Sequence, residues 1–275
     1  MSESASGSTS PVDAGSPPSG GWRQRLLARH RWVVFVLPLA VYLAAGQFEP
    51  RSDASAADGT PIARPPGAAT DAGSHRYPIY YTLRLATTAA AIWLVLPGYP
   101  APTGRAHLLA VLVGAVGVVA WVGLCRLQLE QRWLAPLGLG PLLGLGQRAG
   151  YDPLAALGDA PLGLAAFLLV RFVGLVVVVP LIEEMFLRGF LLRIMIDAEW
   201  WKVPWGQVNA TAVASCAVYA ALSHPAELFA AVVWFSLVTG LQARTRDIWT
   251  CVTAHAVTNL LLGLYVVAWQ DWSLW

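Results

Sequence analysis

Charge is what this chain of 275 residues has least of: Asp, Glu, Lys and Arg make up 12% of it, while 56% of its residues are hydrophobic. A soluble domain carries about twice that share of charge, and the positive mean hydropathy points the same way, to a protein that crosses a membrane several times. The net charge of +2 is too small to suggest a nucleic-acid partner, and no basic cluster interleaved with aromatic residues supplies one. Cysteine is scarce too. Cys125, Cys216 and Cys251 are odd in number, far apart and set in or beside apolar runs, which excludes a disulfide framework and a cysteine zinc site. No repeat of solenoid period is present.

What is there reads as an all-α, polytopic transmembrane helical bundle of about 7–8 helices. Residues 1–21, rich in Ser, Gly, Pro and Ala, have the composition of a disordered tail. The basic stretch Trp22–Arg31 and the apolar run Trp32–Ala45 have the order of a signal peptide's first two regions, and with further spans downstream they read as a retained anchor. Residues 47–76 form an extramembrane loop. Two spans follow over Tyr77–Leu96 and Ala106–Leu124, the second rich in the small residues that let helices approach closely. The stretch Cys125–Ala160, with its Gly, Leu and Pro and its scattered charges, reads as broken or re-entrant and closes an N-terminal part over residues 22–160.

The second part, residues 161–270, carries the chemistry. An apolar run from Leu162 to Ile196, longer than the roughly 20 residues a bilayer needs, makes one long helix or two. Trp200, Trp201, Lys202 and Trp205 have the aromatic and cationic mix of a membrane interface, and spans over Val208–Ser223, Leu228–Ala243 and Ile248–Trp269 complete the chain. An excess of Arg and Lys on the side of Arg23, Arg25, Arg29, Arg31, Arg105, Arg188, Arg193, Lys202, Arg244 and Arg246 places the N-terminus in the cytoplasm.

Into this apolar part the sequence sets Glu183-Glu184 with Arg188, then His224, then His255 with Asn259. An ionisable residue at membrane depth is costly and marks a functional site by default. At about 1.5 Å per residue, His224 lies about 20 Å from Thr211 and His255 about 12 Å from Asp247, so these groups share the inner half of the membrane. Glu184 and Arg188 stand at the i,i+4 spacing of an ion pair, while Glu183 points about 100° away and is left to face a cavity. Desolvation is the usual way a carboxylate is poised as a general base, which makes Glu183 the first candidate for activating a water. His255 and Asn259, also at i,i+4, are donors suited to a developing oxyanion, and His224 would share the water or a metal with Glu183. Glu183, His224 and His255 would be the donors if a divalent metal such as zinc is used, but there is no His-Glu-x-x-His helix and the metal stays open.

The order Glu-Glu-x-x-x-Arg, His, His-x-x-x-Asn resembles the CPBP family, also called the CAAX-protease and bacteriocin-processing or Abi family of intramembrane endopeptidases. Glu183, Glu184 and Arg188 match its first motif, His224 its second, and His255 and Asn259 its third. The resemblance implies a multi-helix membrane fold and hydrolysis of a peptide bond by a glutamate-activated water, on a membrane-associated protein or peptide, lipidated or exported. The family is usually labelled metalloprotease, with a metal-independent glutamate mechanism also proposed. One departure stands out: the family's Phe-x-x-x-His has Ala220 at its first position here, the nearest aromatic being Tyr219. The N-terminal part resembles the subset associated with bacterial exosortase systems, which implies a bacterial inner membrane.

Two other function classes fit the same residues: an assembly or immunity protein that keeps the polar core for packing, and a proton-coupled carrier using Glu183. His255 and Asn259 would then be an interhelical clamp worth about 1 kcal/mol. Arg84 and Arg171 read as snorkelling or structural residues, Glu227 as solvated, and the Trp residues as an interfacial belt.

Overall fold

The computed structural model describes residues 21–50, 76–103, 108–139 and 150–275. The expected N-terminal tail and most of the expected loop at 47–76 lie outside the described residues. Regular structure among the described residues is helical throughout. We number the helices α1 (Trp22–Arg29), α2 (Val33–Gly46), α3 (Tyr77–Val95), α4 (Leu108–Leu127), α5 (Pro153–Leu157), α6 (Pro161–Ile194), α7 (Ala210–Ser223), α8 (Leu228–Thr245) and α9 (Ile248–Trp269).

Among the described residues, five helical stretches are long and apolar enough to cross a membrane: Tyr77–Gly98, Leu108–Leu137, Pro161–Ile194, Pro225–Thr245 and Ile248–Trp269. The expected anchor departs from a straight span, because α1 and α2 meet at 94° over a three-residue break at 30–32. α1 carries Arg23, Arg25 and Arg29 and lies across the head of α2, as a helix at an interface does. The run Val208–Ser223 also differs from a full span: α7 has 14 residues, or about 21 Å at 1.5 Å per residue, short of a hydrocarbon core of about 30 Å. Its C-terminus therefore falls inside the bundle, and that is where His224 sits.

The alternative of one helix or two after Leu162 resolves as one continuous α6 with two wide turns, Gly174–Val178 and Leu187–Leu191, in which the bonding slips to i→i+5. Pro180 accounts for the first, since it has no N–H to offer the carbonyl four residues back and its ring crowds that carbonyl. In the i→i+5 pattern the partner of the Leu175 carbonyl would be that same Pro180, and the Asn259 side-chain amide donates to this carbonyl instead, at 2.8 Å.

α9 packs against α4 and α6, α8 against α4 and α7, and α2 against α3 and α6. The α4–α8–α9 contact depends on glycine. A Cβ at Gly114 would stand 2.7 Å from the Ala254 carbonyl, and one at Gly117 would stand 2.9 Å from the Thr258 hydroxyl and the Trp234 ring. The helices that deliver the polar residues have well-defined starts. Asn209 accepts from Ala212 N at 2.8 Å at the head of α7, and Asp247 accepts from Thr250 N at 3.1 Å at the head of α9.

One acid corrects the sequence reading and a second adds to it. Glu227, expected in water, is buried in the turn after His224, and Glu130 is buried with its Oε1 accepting from Phe229 N at 2.9 Å. The unpaired amides at the start of α8 need an acceptor inside the bundle, and Glu130 supplies it from the end of α4. Arg84 pairs with Glu49 at 2.9 Å, and Arg171 donates to the Tyr77 hydroxyl at 3.1 Å beneath the Tyr81 ring, both structural positions.

Candidate active site

Glu183 and Glu184 follow one another on α6, and their side chains diverge as adjacent helical positions must. The structure places the imidazole of His255, from α9, across both. Glu184 Oε1 is 2.9 Å from His255 Nδ1, and Glu183 Oε2 is 4.0 Å from His255 Nε2. One ring is thus addressed by two carboxylates, one at each nitrogen.

The Glu184 side is closed. Arg188 Nη1 lies 3.2 Å from Oε1 and 3.1 Å from Oε2 of Glu184, and neither side chain has any exposure. Arg188 Nη2 donates to the Phe235 carbonyl at 3.1 Å and to the Thr239 hydroxyl at 3.4 Å, so α8 supplies acceptors that a lone ion pair would lack. A buried charge needs its partner and its hydrogen bonds together. The sequence-based pair of Glu184 with Arg188 is therefore the inner part of a longer row running Arg188, Glu184, His255.

The Glu183 side is looser. Its side chain keeps 12% exposure, and the nearest donor is the Tyr219 hydroxyl, 3.5 Å from Oε1. The 4.0 Å to His255 is too long for a direct hydrogen bond and has the length that a bridging water fills.

His224 caps α7, where its Nδ1 meets Ser223 Oγ at 2.8 Å. Its ring lies 5.3 Å from Trp121 edge-on and 5.8 Å from Phe235. The aromatic support that Ala220 does not provide comes from α4 and α8 instead. Tyr219, displaced by one position from the family pattern, packs on Phe186 and Phe235 and carries its hydroxyl to Glu183. Asn259 lies one turn beyond His255 and holds Leu175 on α6.

Three residues were not picked out by sequence reasoning. Trp234 lies 4.4 Å from the His255 ring, edge to face, and its indole N–H donates to Thr258 at 3.1 Å. Phe235 offers its carbonyl to Arg188 and its ring to His224. Tyr219 was noted only as a nearby aromatic. Aromatic residues are commonplace in apolar spans, and in the sequence these look like the interfacial belt to which the Trp residues were assigned.

A metal would draw on Glu183, His224 and His255. Among the described residues no group of three or more His, Cys, Asp and Glu side chains is arranged to hold one. His255 Nδ1 is engaged by Glu184, and Nε2 and Glu183 face each other across 4.0 Å. As arranged, these side chains do not form a metal centre.

Residues 165–261 match the family model described as type II CAAX prenyl endopeptidase, Rce1-like. The match begins in α6 and ends in α9, so it takes in every polar residue of the site and leaves out α1 to α5, with Trp121 of α4. No curated protein and no solved structure matches the chain.

Proposed function

We propose, for a multi-pass membrane protein carrying an Rce1-like endopeptidase domain, that Glu183 activates a water to hydrolyse a peptide bond of a membrane-associated substrate. The observation that carries this reading is the asymmetry of the two glutamates about His255. Glu184, closed onto Arg188, fixes the imidazole through Nδ1, and Glu183 faces Nε2 at 4.0 Å, a separation that one water set beside the two atoms can bridge.

In this mechanism a water between Glu183 Oε2 and His255 Nε2 attacks the scissile carbonyl carbon and gives its proton to Glu183. The carbonyl oxygen becomes an oxyanion to which His255 donates through Nε2–H in the form that carries a proton on both ring nitrogens, with Asn259 assisting through the amide hydrogen not bound to Leu175. The C–N bond then breaks, and the proton held by Glu183 passes to the leaving amine. Tyr219 steadies the free oxygen of Glu183, and His224 orients the water from the end of α7. None of these steps requires a metal. The basic face formed by α1 and the ends of α6 and α8 is assigned to the cytoplasm by the distribution of Arg and Lys, in a bacterial inner membrane.

The first substrate to test is a membrane-bound peptide with a prenylated cysteine near its C-terminus, followed by unmodified membrane-anchored peptides. Wild-type protein is expected to cleave one of them, with the same rate in the presence of a metal chelator. Glu183→Gln should lower that rate by about 10²–10⁴-fold. An undiminished rate in Glu183→Gln would remove Glu183 from the reaction. Vesicle uptake driven by a proton gradient and lost in the same variant would favour a carrier instead.

A further inference from the structure

A second concave site lies at the other end of α6. The angle between α1 and α2 opens a cavity of about 380 Å³ whose floor includes Leu27, Val34, Phe35 and Trp200 and whose lining includes Gln24 and Arg31. The floor residues are buried, whereas Gln24 and Arg31 are exposed. The cavity is also lined by Arg193, ten residues beyond Glu183 on α6, or about 15 Å along the axis. It is therefore separate from the candidate active site.

Its ionisable lining is cationic, and the two arginines differ in kind. Arg193 is tied to backbone carbonyls: Nε and Nη2 to Val203, at 3.1 and 2.8 Å, Nη1 to Gly189 at 3.3 Å and Nη2 to Trp201 at 3.2 Å. That network holds the 200–203 turn as the cavity wall. Arg31 stands over the Trp201 ring at 5.4 Å, and no carboxylate among the described residues forms a salt bridge with it. A guanidinium offers a fork of donors that fits a phosphate diester. α1 lies at 94° to α2, with Arg23, Arg25 and Arg29 on the same short helix, which makes this a positively charged face at a membrane interface.

We propose that the cavity binds an anionic phospholipid. The headgroup phosphate sits on Arg31 and Gln24, and the first part of an acyl chain lies over Leu27, Val34, Phe35 and Trp200. The apolar floor, together with the place of the cavity beside the basic interfacial helix α1, favours a lipid over a soluble phosphate ester. The volume lies within the range of small-molecule sites. This inference does not depend on the hydrolytic reading.

The test is native mass spectrometry of the full chain in detergent, titrated separately with phosphatidylglycerol, phosphatidylcholine of the same acyl chains, and glycerol phosphate. One phosphatidylglycerol per chain is expected, held about fivefold more tightly than phosphatidylcholine, whose choline cation offsets the phosphate charge that Arg31 meets. Arg31→Gln should abolish that preference. Ala28→Phe, at an exposed position lining the cavity, should lower retention of the lipid without removing a contact of the fold. Equal retention of the two lipids, or unchanged retention in both variants, would overturn the proposal. Glycerol phosphate competing as well as the intact lipid would also overturn it, assigning the cavity to a soluble phosphate ester.

Discussion

Glu183 and Glu184 are the same residue type, adjacent on one helix and in reach of one imidazole, yet their surroundings differ in every respect. Glu184 has no exposure, is paired with Arg188 and sits 2.9 Å from His255. Glu183 retains exposure, is touched by one hydroxyl at 3.5 Å and stands 4.0 Å from the same ring. A carboxylate with its partners in place has little capacity left for a reaction, and one with gaps around it has room for water and substrate. The difference assigns structure to one glutamate and chemistry to the other, and substitutions on each side should separate stability from activity.

The largest effect on stability is expected from Arg188→Met. It leaves Glu184 buried without its cation, and removal of one member of a buried pair costs about 3–5 kcal/mol. Thermal unfolding in detergent measures it, and a melting temperature within a degree of wild type would show that the Glu184 side is not closed as described. Tyr219→Phe should act on the other side. Loss of the hydroxyl on Glu183 is expected to slow cleavage by about two- to tenfold, in line with the 0.5–1.5 kcal/mol of one hydrogen bond, with little change in melting. The smallest effect is expected from Thr239→Val, which removes one of the Arg188 acceptors. It should lower stability by about 1 kcal/mol and leave the cleavage rate alone.

The acids and their spacing were readable before the fold, because Glu184 and Arg188 at i,i+4 pair on any helix and because charges stand out in an apolar run. The long spans were readable for the same reason. Which nitrogen of His255 each glutamate faces was not, since that depends on the rotation of α9 against α6, and glycines on α4 that the sequence marks only as small residues set how closely α9 packs. The single α6 was left undecided between one helix and two, although Pro180 marks the place where its bonding slips. Glu227 was read by its position in the turn after a helix, where water is the usual partner. In this bundle the end of α7 lies inside, so the acids beside it are enclosed.

The measurement that tests the central claim most directly is Glu183→Gln beside Glu184→Gln, each scored for cleavage rate and for melting temperature. The account predicts that Glu183→Gln loses cleavage by about 10²–10⁴-fold with wild-type melting, while Glu184→Gln lowers the melting temperature by several degrees. Two variants with the same loss on both scales, or a Glu183→Gln that cleaves like wild type, would contradict it.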